Sequence, residues 1–295
     1  SDIYNDLFVR LNSAISALDN SYGSFGSADL YYAGNIDKWL KFGNSLKVKL
    51  AVYIADYNET VAQTAVEQAV SNVFASNSDN CLLKYMSIAP NFNQLYADLV
   101  ASGRHDFVPA NTFVDTLNYL EDPRREAYFS NMLDTSSEDG VVKLAYVGGE
   151  YGYSNSFSQC SHIGDVIQEP DFPGILMTYS EICFYLAEAA ERGYDVAHNA
   201  QYWYDEGVKA SFDYWNIDGA AAYLAKPEVN YATASGNWRH KIAIQSWIAN
   251  YISGIVAYNN WRRLDYPIFN LPEYATSYSD IPVRFTFPIN EQTLN

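Results

Sequence analysis

Residues 176–215 decide the fold; they begin LMTYSEICFYLAEAAERGYD, from Leu176 to Asp195. Thr178 and Glu181 have the spacing of a capping box, in which a hydroxyl and a carboxylate each satisfy a free backbone N–H at a helix start. Gly193 stands where a left-handed residue ends a helix, and Asp195 is expected to cap the next helix. One apolar face follows at helical spacing, formed by Ile182, Tyr185, Leu186, Ala189 and Ala190.

A second helix is predicted to return antiparallel across a short turn. Its apolar residues are Tyr202, Trp203, Val208 and Phe212. Two helices in so short a stretch resemble one tetratricopeptide unit, although a single unit proves no repeat. Periodicity predicts further helices over residues 3–18, from the Asp37 cap through Leu50, and over residues 62–73, 111–120 and 238–252. The predicted fold class is therefore mainly α, with tetratricopeptide-like hairpins in an α-α superhelix.

Residues 131–173 differ from the helical parts of the chain. They are rich in glycine and hydroxyl residues and contain one strand-like run, 141–147. Such a section suits a long surface loop, where binding function tends to collect. No sharp linker is visible, so we predict a single domain over residues 1–295 with a loop-rich insertion at 131–173.

Composition limits the classes of partner. The 295 residues carry a net charge of −17, which argues against nucleic acid or an anionic membrane surface as a partner. The chain has 26 tyrosines, whose apolar ring and polar tip suit ligands such as sugars. Cys81, Cys160 and Cys183 form no disulfide framework, and the spacing gives no support to a Cys81–Cys160 bond. No run approaches the roughly 18 apolar residues of a membrane span.

Four segments, in order, resemble the SusD/RagB family of outer-membrane nutrient-binding lipoproteins, in its SusD-like subgroup. Residues 37–51 resemble the family's WxKFxNSLxxRxA helix, and residues 176–193 resemble its LMTYAE…FxxAEAxxRG segment. Residues 261–267, WRRLDYP, resemble WRRxxxP, and residues 281–295 resemble the closing IPxRxxYPxxE…N. The departures fall on scaffold positions, such as Lys49 where arginine is usual.

The resemblance implies a function that the residues alone do not. Proteins of this family are outward-facing outer-membrane lipoproteins that bind oligosaccharides without cleaving them. They act as a lid on a SusC-like TonB-dependent transporter. The expected partners are therefore a glycan and that transporter, with membrane contact only through an N-terminal lipid anchor absent from this chain. The resemblance also implies a SusD-like fold and a fragment that lacks the N-terminal region of a longer lipoprotein.

A search for catalytic and metal-binding patterns finds none. The sequence lacks a phosphate loop, HExxH and GxSxG, and its four histidines have no metal-ligand spacing. We therefore predict no enzyme activity, no cofactor and no metal site, while a calcium site built from separate loops stays open. The interpretation favoured for Glu181, Glu188 and Glu191 is capping and solvation. Packing and ion pairing are favoured over anion binding for Arg124, Arg125, Arg262 and Arg263.

The candidate ligand-binding residues are aromatics that no helical stripe accounts for. Aromatic rings can contact the C–H face of a sugar while amides bond its hydroxyls. The predicted glycan-binding residues are Tyr146, Tyr151, Tyr153, Asn155 and Phe157 in the insertion, with Tyr96 as a weaker addition. The alternative is a loop pinned to the body by its own tyrosines. Trp39, Asn44 and Trp247 lie on helix stripes and are expected to pack. The core face predicted for the helix over residues 238–252 consists of Ile244, Trp247, Ile248, Tyr251 and Ile252.

Two other functions stay open. One is the peptide-binding lid of a RagAB-like transporter, since helical hairpins commonly present concave surfaces to partners. The other is a helical glycoside hydrolase, which would need two carboxylates roughly 5–9.5 Å apart in a cleft. Sugar release would identify the hydrolase, and a ligand screen would separate glycans from peptides.

Overall fold

The computed structural model describes residues 2–135, 143–272 and 281–294, and it is mainly helical. The prediction of a mainly α fold is confirmed. The helices are α1 (Asp2–Ala17), α2 (Ile36–Ile54), α3 (Glu59–Ala69), α4 (Gln94–Tyr96), α5 (Asn111–Tyr119), α6 (Arg125–Tyr128), α7 (Tyr179–Glu191), α8 (Ala200–Tyr214), α9 (Ala220–Leu224), α10 (Trp238–Ala249), α11 (Gly254–Leu264) and α12 (Ile289–Leu294).

The hairpin α7–α8 forms as predicted, with a different cap on its second helix. The Thr178 side chain accepts a hydrogen bond from the Glu181 N–H, and Gly193 ends the first helix at φ +82°. The prediction that Asp195 caps the second helix is wrong. Asn199 does so, because its side chain accepts from the Tyr202 N–H at 2.9 Å, immediately before the helix begins. The chain between Gly193 and Asn199 is a longer connection than the pattern suggested.

Helix α7 is buried on almost every side, since α2, α8 and α10 all pack against it. The interpretation of Glu181 and Glu188 as capping and solvated residues is wrong, because both are buried. The Glu181 carboxylate accepts from Lys49 Nζ at 2.7 Å, and Glu188 pairs with Arg192 at 2.9 Å and with Arg263. A buried carboxylate needs such partners to offset its desolvation.

The strands form three small antiparallel ladders. They pair β1 (Cys81–Leu83) with β6 (Gly174–Met177), β2 (Phe129–Ser130) with β5 (His162–Ile163), and β3 (Leu133–Asp134) with β4 (Leu144–Ala145). The predicted strand-like run 141–147 is a strand only at β4, and its first two residues lie outside the described residues. The described part of the insertion also contains two 3₁₀ turns, Phe157–Gln159 and Asp165–Gln168.

A wholly buried ion pair joins the segment between α5 and α6 to helices α8 and α10. Arg124 donates to Asp122 at 2.6 Å, and neither side chain has any exposed surface. Arg124 also donates to Ser211 on α8 at 3.0 Å and to Gln245 on α10 at 2.8 Å. The predicted structural role of Arg124 is therefore confirmed, because its donors are used to hold three segments together.

The three cysteines are all free and buried, so Cys81 and Cys160 are not joined. None of the helices in the described part of the chain is both long and apolar enough to cross a membrane.

Helices α5 and α10 meet through aromatic side chains. Phe113 stacks on Tyr251 with ring centroids 4.8 Å apart and meets the edge of Trp247 at 4.8 Å. Trp247 and Tyr251 remain only partly buried, while their neighbour Ile248 is buried in the core. The prediction that this face of α10 belongs to the core therefore holds for Ile248 and only in part for the two aromatics.

Candidate functional site

Glycines fasten the insertion to the start of α5. The Asn111 N–H donates to the Gly149 carbonyl at 2.7 Å, and the Gly149 N–H donates to the Pro109 carbonyl at 2.8 Å. A Cβ atom at Gly148 would lie 2.4 Å from the Asn111 Cα, so only glycine permits this approach. The backbone leading to Tyr151 is thereby held against a rigid helix.

A tight turn then positions Tyr151. The Asn155 side chain accepts from the Glu150 N–H at 2.8 Å and donates to the Glu150 and Tyr153 carbonyls at 2.8 and 3.1 Å. Gly152 lies in the turn at φ +78°, where a Cβ would be 2.6 Å from Pro272. In this geometry Asn155, predicted as a ligand-binding residue, uses these atoms to close the turn.

Tyr151 lines a cavity of about 620 Å³, which we call the aromatic cavity. It lies between the insertion turn, the start of α5 and the helices α10 and α11, and its volume falls within the roughly 300–1,000 Å³ of ligand sites. Seven of its described lining residues are aromatic: Phe113, Tyr151, Trp247, Tyr251, Tyr258, Trp261 and Phe269.

Most of these rings contact one another and form a continuous wall. Phe269 meets Trp247 and Trp261 with centroids 5.5 and 5.8 Å apart, and Tyr258 stacks on Trp261 at 5.9 Å. The wall is fixed further because Trp261 donates its indole N–H to the Pro267 carbonyl at 3.1 Å. Rings held in this way present flat apolar faces without loss of side-chain entropy on binding.

The polar groups of the cavity are few. The Tyr151 hydroxyl is buried and has no hydrogen-bond partner among the described residues. Burial raises the pKa of Tyr151, so the hydroxyl is neutral at physiological pH and can both donate and accept. Asn250 commits its amide N–H₂ to Ser246 at 2.8 Å. An unpartnered buried hydroxyl costs stability.

The structure separates the other predicted site residues from the cavity. Tyr146 packs on Phe129 at 5.6 Å, and burial raises its pKa. Phe157 stacks on His162 at 3.7 Å and lines a smaller cleft. Tyr153, beside Gly152, is half-exposed, and Tyr96 meets the edge of Phe92 with ring centroids 5.3 Å apart. Neither residue belongs to the described lining of the aromatic cavity.

Sequence reasoning missed the helical half of the cavity. Trp247 packs on Phe113 as predicted and also lines the cavity, and Trp261 lines it as well. A helix stripe that faces a cavity has the same 3.6-residue period as one that faces a core. The sequence offered no separate signal for this half, because the aromatic content of α10 and α11 is close to the 16% of the whole chain.

The described lining of the cavity contains tyrosines but no carboxylate, amine or imidazole. No charged side chain occurs among its described lining residues. In the described ranges, no three His, Cys, Asp or Glu side chains are grouped so that they could hold a metal ion. What the arrangement offers is flat apolar contact with a few hydrogen-bonding groups, which suits recognition of a neutral ligand.

The fold is mainly helical, it contains the tetratricopeptide-like hairpin α7–α8, and the aromatic cavity lies beside α5, α10 and α11. Comparison with known families agrees over nearly the whole chain: residues 1–288 match the SusD-like family described as "Starch-binding associating with outer membrane". The chain belongs to this SusD-like family. No curated protein matches the chain.

Solved structures with the same fold include proteins named for chitin binding. A "chitin-binding protein" is 29% identical, with a TM-score of 0.82, 99% of this chain covered and 66% of that chain. A chitin-binding SusD homolog from Flavobacterium johnsoniae is 26% identical, with a TM-score of 0.78 and coverage of 92% and 62%. A SusD homolog from Bacteroides uniformis is 27% identical, with the same TM-score and coverage. The chain thus spans about two thirds of the length of these relatives.

Proposed function

We propose that this chain binds a glycan in the aromatic cavity, as part of a protein at the outer-membrane surface that passes its ligand to a SusC-like TonB-dependent transporter. The observation that carries the proposal is the wall of contacting aromatic rings beside the unpartnered Tyr151 hydroxyl. The family description and the chitin-binding neighbours support it.

The chemistry of the cavity matches that of a sugar ring. A pyranose has apolar C–H faces, which pack on aromatic rings, and equatorial hydroxyls, which need hydrogen-bond partners. Trp247, Tyr258 and Trp261 supply flat rings, and the Tyr151 hydroxyl supplies a buried partner that lacks one of its own. A neutral wall also fits a neutral polymer such as starch or chitin better than a charged ligand.

The described residues of the cavity suit a protein that binds a glycan without cleaving it. Glycoside hydrolysis uses two carboxyl groups on either side of the scissile bond. The described lining of the aromatic cavity contains neither aspartate nor glutamate. A ligand held there would therefore leave unchanged, as handover to a transporter requires.

The test is calorimetric titration of the chain with chito- and malto-oligosaccharides, with reducing sugar assayed in the same samples. We expect saturable binding by at least one series with no release of sugar. Tyr151→Ala should lower the affinity about tenfold or more, because it removes a ring and a hydroxyl from the cavity.

Tyr57→Ala is the matched control, since Tyr57 is 76% exposed and is not among the described residues of the aromatic cavity. Its affinity should equal that of the unchanged chain. Release of reducing sugar would favour a hydrolase, and binding of a peptide library without any glycan would favour the peptide-binding alternative. An equal loss of glycan affinity in Tyr151→Ala and Tyr57→Ala would show that the aromatic cavity is not the binding site.

A further inference from the structure

A second concave site lies at the other end of α5 and α10. It is a cleft of about 400 Å³, here called the polar cleft. Its walls are the end of α5, the start of α10 and the loop that follows α9. Its polar lining residues include Thr116, Glu228, Thr233, Ser235, Lys241 and Gln245. Of these, Gln245 already bonds Arg124 and Tyr223, and Lys241 donates to the Tyr231 carbonyl at 2.8 Å.

The outer wall of the polar cleft is tied to α5. Lys226 donates to the Leu120 carbonyl at 3.0 Å and pairs with Glu121 at 2.8 Å. The Thr233 hydroxyl donates to the Pro227 carbonyl at 2.9 Å, which fixes the turn between them. The cleft is thus a built feature of the fold, and the loop is not a loose cover over α5.

Tyr119 stands at the edge of this cleft and has no packing role that accounts for it. It is 75% exposed, although it belongs to a helix whose other large apolar residues, Phe113 and Leu117, are buried. A large exposed ring beside a polar cleft is an aromatic platform of the kind that sugars use.

The aromatic cavity and the polar cleft share the same two helix faces. On α5, Thr112 lines the cavity while Thr116 and Tyr119 line the cleft, at i, i+4 and i+7. On α10, Lys241 and Ile244 line the cleft and Trp247 lines the cavity. The two helices are therefore antiparallel, and we call the strip between the two sites, bordered by Thr112 and Thr116 on α5 and by Ile244 and Trp247 on α10, the furrow.

Both sides of this furrow are open to solvent. Thr112 and Thr116 on one side, and Ile244 and Trp247 on the other, are partly exposed, while Phe113 lies buried between the helices. From Thr112 to Tyr119 the furrow runs about 10 Å at about 1.5 Å per residue. This length exceeds what a single sugar ring would contact.

We propose that the furrow is one extended glycan site, in which the polar cleft with Tyr119 is a second subsite for the chain that occupies the aromatic cavity. The inference rests on the proposed function and specifies its ligand as a linear oligosaccharide of several sugars. Apolar faces dominate at one end and hydroxyl, amide and charged groups at the other, so successive sugars meet different partners along the polymer.

The test compares N-acetylchitobiose with N-acetylchitohexaose, and maltose with maltohexaose, by calorimetry on the full chain and on two variants. The affinity of the hexasaccharide that binds should exceed that of its disaccharide by about tenfold or more, because added contacts at the second subsite are nearly intramolecular. Tyr119→Ala should remove most of that gain and leave disaccharide binding unchanged.

Tyr57→Ala is the control, because Tyr57 has almost the same exposure as Tyr119, at 76%. Equal affinity for the short and long members, or a Tyr119→Ala variant that binds the hexasaccharide as Tyr57→Ala does, would overturn the extended site while leaving the proposed function intact. Absence of binding to all four sugars, with the chain shown to be folded by circular dichroism, would overturn the proposed function and the extended site together.

Discussion

The buried pair Asp122–Arg124 and the turn around Tyr151 show two opposite uses of polar groups. At the pair, the guanidinium makes hydrogen bonds to Asp122, Ser211 and Gln245, and nothing is exposed. At the turn, the Tyr151 hydroxyl is buried and lacks a partner among the described residues. The first arrangement holds segments together, and the second is the group to which we assign a ligand in the proposed function.

The same contrast applies to the aromatic residues. Tyr128 and Tyr185 are fully buried and donate to the Ile248 carbonyl and to Asn260, so both ring and hydroxyl are used internally. Trp247 and Tyr258 are partly exposed around a cavity. We therefore expect substitutions in the first group to change stability and substitutions in the second to change binding.

Asp122→Asn should give the largest effect. It leaves the buried Arg124 charge without its counter-ion, and breaking such a pair costs about 3–5 kcal/mol of unfolding free energy. Urea unfolding followed by circular dichroism measures the loss. Asp106→Asn is the control, because Asp106 pairs with Arg104 at the surface and should change stability far less. Similar losses in the two variants would contradict the distinction between buried and exposed pairs.

The same pair predicts how stability depends on pH. Burial disfavours the Asp122 carboxylate, but the Arg124 charge and its hydrogen bonds outweigh burial, so the pKa of Asp122 lies below its ordinary value. A lowered folded-state pKa adds stability above the unfolded value of about 3.9, and that stability is lost as the pH falls through the folded value. Unfolding free energies should fall more steeply below pH 4 in the unchanged chain than in Asp122→Asn. If the unfolding free energy of the two proteins fell equally with pH, Asp122 would not be the source of the acid sensitivity.

Gly148→Ala should affect both stability and binding. Its Cβ would meet the Asn111 backbone at 2.4 Å, so the turn must shift away from α5. Overpacking of this kind costs about 1–3 kcal/mol, and the shift would carry Tyr151 out of place. Gly23→Ala is the control, because a Cβ there meets nothing within 4 Å. Unfolding and glycan titration are both measured; unchanged affinity in Gly148→Ala would show that the turn does not position the site.

Tyr151→Phe should give the smallest and most selective effect. Removing the unpartnered hydroxyl should leave the unfolding free energy unchanged or slightly higher, while glycan binding weakens by about 1 kcal/mol from one lost hydrogen bond. Thermal unfolding and calorimetry on the same preparations separate the two quantities. Tyr57→Phe should change neither. A Tyr151→Phe chain that is less stable and binds normally would mean that the hydroxyl has a structural partner.

The sequence predicted the hairpin because its signals are local. Thr178 caps its own helix and Gly193 ends it, and each acts within a few residues. The burial of Glu181 and Glu188 could not be predicted, because their partners Lys49 and Arg263 come from distant segments. From the sequence alone, capping and solvation explain a glutamate in a helix as well as burial in an ion pair does.

The candidate site was predictable only in its loop half. Tyr151 is a predicted ligand-binding residue because it belongs to no apolar helix face, and the structure places it in the lining of the aromatic cavity. Phe157 and Tyr146 satisfied the same criterion and pack elsewhere, on His162 and Phe129. Trp247 and Tyr251 pack on Phe113 as their helix stripe predicts, but they also line the cavity, which periodicity alone cannot show.

The most direct test of the central claim is a crystal structure of the chain with the hexasaccharide that it binds most tightly. We expect a sugar ring in the aromatic cavity, within hydrogen-bond distance of the Tyr151 hydroxyl, and an oligosaccharide that continues between α5 and α10 toward Tyr119. A ligand ordered elsewhere on the surface, with no sugar in the aromatic cavity, would contradict it.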